Sequence, residues 1–210
     1  MRTRLPLFLV STLIVFLVVA IVGVPHQTTI RVSAAPGVPD TPDSRQIQAT
    51  IRRAYELRAR AGHTFDTTDF ASVFVNDPRG GKLPPEWLKL VEDVTGSSSD
   101  TTGYLDYELA YYEHWKTGAL RLEELWAKAA EEGRPLTLEE VQSLRDRSGR
   151  IAAPRAPEGV RIQIDFKSIV VEGDVATAVF DDGPRLNEMT LVKINGKWYI
   201  AGNKILQILL

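Results

Sequence analysis

Glu188 is the carboxylate in this chain of 210 residues whose setting most resembles that of a general base. It sits in a strand-like run and shares a phase with Leu186, Thr190, Val192 and Ile194, because alternate residues of a strand face one side. If helices cover that side, lost hydration raises the carboxyl pKa and suits the group to proton abstraction. If the strand bulges near Pro184, or residue 188 lies at the sheet rim, Glu188 is an ordinary solvated acid. A second polar cluster sets Glu113 and His114 beside Tyr111 and Tyr112. Neighbours on a helix diverge by about 100°, so Glu113 and His114 do not converge on one ligand. A metal site needs three or four converging ligands, and the other histidines, His26 and His63, are far away in sequence. No metal and no cofactor is therefore expected. Asp66, Thr67, Thr68 and Asp69 are rich in oxygen but lack the glycine and distal glutamate of a calcium loop, and read as a helix cap. Gly80-Gly81-Lys82 lacks the upstream glycine of a phosphate loop and reads as a turn. No Gly-x-Ser-x-Gly elbow is present. The absence of cysteine removes disulfides, thiolate metal sites and cysteine nucleophiles together. With 25 basic against 27 acidic residues there is no field for a polyanion, so nucleic acid is not an expected partner.

The elements that must position these groups change type along the chain. A helix is expected from about Asp43, with Gln46 three residues on, to Gly62, its apolar face formed by Ile47, Ile51, Ala54, Tyr55 and Ala61. Residues 63–82 suit neither period, and both a short helix and a short strand fit there. Pro85 opens a helix that runs to Gly96. From Tyr104 to Glu132, Tyr104, Tyr111, Trp115, Ala119, Leu122, Trp126 and Ala129 recur at helical spacing. Such a stripe either lines an apolar ligand pocket, through Tyr104, Tyr111 and Trp115 with Glu188, or packs as core. Thr137 and Glu140 form a capping box for a further helix to Ser148. After Pro157 the period becomes two: Val160 to Lys167, Val175 to Phe180, Leu186 to Ile194 and Lys197 to Leu206 read as strands, the last two joined by Asn195-Gly196. The fold class is α+β, with N-terminal helices packed on a curved four-strand antiparallel sheet.

Val170-Val171-Glu172-Gly173-Asp174-Val175-Ala176-Thr177-Ala178, then Leu191-Val192-Lys193-Ile194-Asn195-Gly196-Lys197-Trp198-Tyr199-Ile200, carry a resemblance. This part of the chain resembles the nuclear transport factor 2-like superfamily, cone-shaped α+β domains that include ketosteroid isomerase-like proteins. The resemblance lies mainly in residues 160–206. It implies a curved sheet closing on helices and, in members that are enzymes, an apolar pocket holding acids, tyrosines or histidines. The extra helix at Thr137–Ser148 departs from the pattern, as does the lack of an obvious strand between the first helices.

Leu5 to Val24 is a run of twenty uncharged, mostly apolar residues behind Arg2 and Arg4. As a helix it reaches about 30 Å, the thickness of a bilayer's hydrocarbon. Arginines on its short side place the N-terminus in the cytoplasm and the rest outside. The run is read as a single-pass anchor. The alternative is a signal segment cut near Ala34, at Val32-Ser33-Ala34 or Ser33-Ala34-Ala35, giving a secreted domain. The expected organisation is thus an anchor or signal segment at 1–24, a proline-rich spacer at 25–43 and an extracytoplasmic domain at 44–210. Within the domain the helices occupy 44–149 and the meander 160–206. The function expected is that of a tethered, non-catalytic accessory domain that binds a small apolar ligand or an envelope protein. The alternative is a ketosteroid isomerase-like or dehydratase-like enzyme with Glu188 and Tyr111 as its acid–base pair.

Overall fold

The computed structural model describes residues 28–97, 101–145 and 151–209, so the apolar run Leu5 to Val24 lies outside the described residues. The first described element is a strand, β1 (Thr29–Ala34). It falls inside the stretch expected to be spacer, and it adds a fifth strand to the four expected. Ile30 and Val32 pack against the core while Thr29, Arg31 and Ser33 point away. Six residues with two apolar positions are too short a signal to separate from the prolines that follow.

Helix α1 (Pro42–Thr64) starts slightly earlier than expected, with Thr41 accepting from the Ser44 amide and Pro42 in the first turn, where a missing N–H costs nothing. It ends at Phe65, a left-handed residue (φ 58°) whose N–H closes on the Ala61 carbonyl. The ambiguous segment contains both kinds of structure. Thr68–Ala71 forms the one-turn helix α2, and Val73 to Val75 then runs beside Ile200 as a parallel bridge. Pro78–Gly80 is a 3-10 turn capped by Asp77. Helices α3 (Pro85–Thr95), α4 (Tyr104–Glu131) and α5 (Leu138–Ser143) follow. The expected capping box of α5 is present between Thr137 and Glu140.

The strands β2 (Arg161–Glu172), β3 (Val175–Asp181), β4 (Arg185–Ile194) and β5 (Lys197–Ile208) form the antiparallel meander. β1 joins β2 in parallel, making a mixed sheet of order β1-β2-β3-β4-β5. All the described helices lie in the crossover between β1 and β2. Asn195 (φ 51°) and Gly196 (φ 78°) make the β4–β5 turn, as the dipeptide predicts. One sheet face carries Ile164, Phe166, Ala176, Ala178, Phe180, Met189, Leu191, Trp198 and Ile200, and buries them against Ile47, Ile51, Tyr55, Phe70, Tyr104 and Tyr112. The Asp43 carboxylate ties α1 to the sheet by accepting from Lys193 Nζ at 2.7 Å and Trp198 Nε1 at 3.0 Å. The 3-10 turn lies flush on β5: a Cβ on Gly80 would come 2.1 Å from the Ala201 carbonyl oxygen, and one on Gly202 would come 2.4 Å from that of Gly80.

Candidate functional site

The polar chemistry of the interior gathers where α1, α4 and the β3–β4 hairpin meet. On α1, Tyr55 and Arg58 are three residues apart and share a face; on α4, Tyr104, Glu108 and Tyr112 are four apart and share another. Glu108 is 1% exposed, in the middle of the core stripe. The Tyr104 hydroxyl donates to its Oε1 at 2.5 Å, and Arg58 Nη2 lies 3.3 and 3.4 Å from the two carboxylate oxygens. The Tyr112 hydroxyl donates to the Arg58 carbonyl at 3.1 Å, which fixes the α1 backbone beside this pair. The second group repeats the logic. Tyr55 donates to Asp182 Oδ2 at 2.8 Å, and Arg185 Nη2 reaches the same oxygen at 2.9 Å. Asp182 Oδ1 accepts from the Arg185 amide and so shapes the hairpin.

Each buried carboxylate thus has one phenol and one guanidinium. A buried acid needs this pairing, because an isolated charge there is costly. Burial, reinforced by the Glu108 charge, pushes the Tyr104 hydroxyl well above its ordinary pKa. Burial and the Asp182 charge do the same to Tyr55, and burial raises Tyr112. The Glu108 charge holds the Arg58 guanidinium firmly protonated. All three phenols therefore stay protonated and serve as hydrogen-bond donors. Two atoms beside the hairpin remain unspent: Arg185 Nε and Asn187 Oδ1 are buried without a partner.

The residues singled out in the sequence separate. Glu188 does not face this interior. Asn187, Met189 and Leu191 point at the helices, whereas Glu188 shares the opposite face with Val179, Thr190 and Val192, across from Lys204. The expected phase is inverted because β4 carries apolar residues on both sides and the core side includes the polar Asn187. Tyr111 is 37% exposed on the outside of α4. Tyr104 is core. Trp115 is half-buried and donates to the Ala153 and Pro154 carbonyls, pinning the connector before β2. Glu188, Tyr111, Tyr104 and Trp115 therefore do not line one pocket. Trp126, at the far end of the stripe, is 48% exposed.

His114 is exposed, Glu113 pairs with Lys116, and His63 Nδ1 lies 3.0 Å from the Ala156 carbonyl oxygen. Asp66 caps the Thr68 amide and Asp69 pairs with Arg60. Among the described residues no group of three or more metal-ligating side chains converges, and no helix is long and apolar enough to cross a membrane. Sequence reasoning missed Glu108, Arg58, Tyr55 and Asp182. The available signal was a charged residue, Glu108, four places from both Tyr104 and Tyr112. The chain matches no protein-family model, no curated protein and no solved structure.

Proposed function

We propose that the chain is a membrane-tethered, extracytoplasmic domain that works by binding an envelope protein at its surface and is not a catalyst. The observation that carries the tethered part is β1. The apolar run ends at Val24, and by Thr29 the chain is already paired with β2 along six registered residues. Cutting at Ala34 or Ala35 would detach that strand, strip Ile30 and Val32 from the core and leave the β2 edge open. An anchor keeps the sheet whole. The choice of a surface over an interior pocket rests on the packing: Tyr104 and Tyr112 are buried among other core side chains, and both interior carboxylates are occupied by Tyr and Arg. A nuclear transport factor 2-like descent is part of this proposal. Helices on one sheet face support it, as does the isolated Phe74–Ile200 bridge, which stands where members of that superfamily place a short strand. The alternative, an acid–base enzyme, would have to use Glu108 with Tyr104 in place of Glu188 with Tyr111, since only the former pair is inside.

Alkaline extraction of membranes carrying the full chain tests the reading. The protein is expected to stay with the lipid, and protease outside intact cells is expected to digest the domain. Release of the chain into the supernatant would overturn the tether.

A further inference from the structure

A hollow of about 450 Å³ opens where β1 and β2 begin, lined by Thr29, Arg31, Arg161, Ile162 and Gln163. Arg31 and Arg161 are both exposed, and Arg161 stands opposite Thr29 in the register, so the two guanidiniums flank the same corner of the sheet. Neither has a carboxylate partner among the described residues. Further along this face Asp165 takes Lys167 Nζ at 2.5 Å and the Ser33 hydroxyl at 3.0 Å, and Asp181 opposite it accepts from the Gly183 amide; Glu158 is exposed three residues before Arg161. The corner is thus locally cationic on a chain whose net charge is −2.

Its position along the chain decides what it meets. From Val24 to Thr29 the chain can reach at most about 18 Å even when fully extended. A bilayer's headgroup layer is about 5–7 Å deep on each side, so an anchor ending at Val24 lets this corner come down to the lipid phosphates and never carries it far from them. Guanidinium and phosphate match as planar donor fork and paired acceptors.

We propose that Arg31 and Arg161 bind the phosphates of anionic phospholipid headgroups and so lay the β1–β2 corner of the domain against the membrane that anchors it. The proposal rests on the tethered reading. The ligand is membrane lipid, reached because the chain delivers the site to it, and the remainder of the sheet is left free for a partner.

The test uses the full chain in nanodiscs. Replacing part of the phosphatidylcholine with phosphatidylglycerol is expected to raise the melting temperature by about 5 °C, an increase that high salt weakens. The R31Q/R161Q double variant should lose that rise and R31K/R161K should keep most of it. Both positions are exposed, so the fold survives either exchange. No rise with anionic lipid, or an undiminished rise in R31Q/R161Q, would overturn the proposal. The same rise on adding inorganic phosphate to purely zwitterionic discs would also overturn it, marking a free-anion site. Failure of the tether shows separately, as chain that does not remain with the discs at alkaline pH.

Discussion

Removing the Glu108 carboxylate leaves the Tyr104 hydroxyl without its acceptor and the Arg58 guanidinium without its counter-charge. Glu108→Ala is expected to cost about 3 kcal/mol of unfolding free energy, and Tyr104→Phe about 1–2 kcal/mol, both readable from urea denaturation. A larger loss from Tyr104→Phe than from Glu108→Ala would contradict the central place of the Glu108 charge in this cluster. At the surface, Arg134 and the Thr137 amide hold Glu140 well below its ordinary value of 4.5, at about 2. A depressed carboxyl pKa stabilises the fold above the unfolded value and loses that effect as pH falls through the folded one. The Glu140 contribution is therefore complete above about pH 4.5 and fades toward pH 2. Glu140→Gln should flatten the acid limb of a stability–pH profile in that window while lowering stability at neutral pH; an unchanged acid limb would show that the pair is decorative. These residues show what a single sequence conceals. Glu140 was legible because Thr137 precedes it at the capping-box interval. Glu108 was not, because a carboxylate inside a helical stripe declares itself only once Arg58, fifty positions earlier, is seen beside it.

Among the elements, the contact between the 3-10 turn and β5 is the least tolerant of added volume. A methyl on Gly202 would meet the Gly80 carbonyl, so Gly202→Ala is expected to cost about 2 kcal/mol. Gly173→Ala, at a turn with open space around the position, strains only its own positive φ and should cost less. Equal losses in thermal melts would deny that the turn seats on the strand. The Asp43 link between α1 and the sheet carries its own pH signature. Hydrogen bonds from Lys193 and Trp198 hold that carboxyl below its ordinary 3.8, so its support is present above that value and lost in stronger acid. The helices, the meander and the Asn195-Gly196 hairpin were legible because their apolar periods run over many residues. β1 was not, because its pairing with β2 depends on a strand that comes after every helix. The phase of β4 was misread for a related reason: with Leu186 and Val192 on one side and Met189 and Leu191 on the other, the pattern lacks a polar face to break the tie.

For the whole molecule, β1 turns a hydropathy pattern into an arrangement in space. A spacer running through residues 25–43 would hold the domain away from the bilayer. With an anchor ending at Val24, a strand from Thr29 would bring the sheet's first corner close to the bilayer, with Arg31 and Arg161 leading. The two accounts of the apolar run then differ in what they leave behind. An anchor leaves a five-strand sheet. A signal cut at Ala34 or Ala35 leaves four strands, with the apolar positions of Ile162 and Ile164 on a bare edge, the kind of edge that pairs with another chain. The intact mass of the protein purified from its own membranes decides between them. The expected mass is that of a chain that retains Met1 to Ala35, or lacks only the initiating methionine. A mature chain beginning at Ala35 or Pro36 would contradict it.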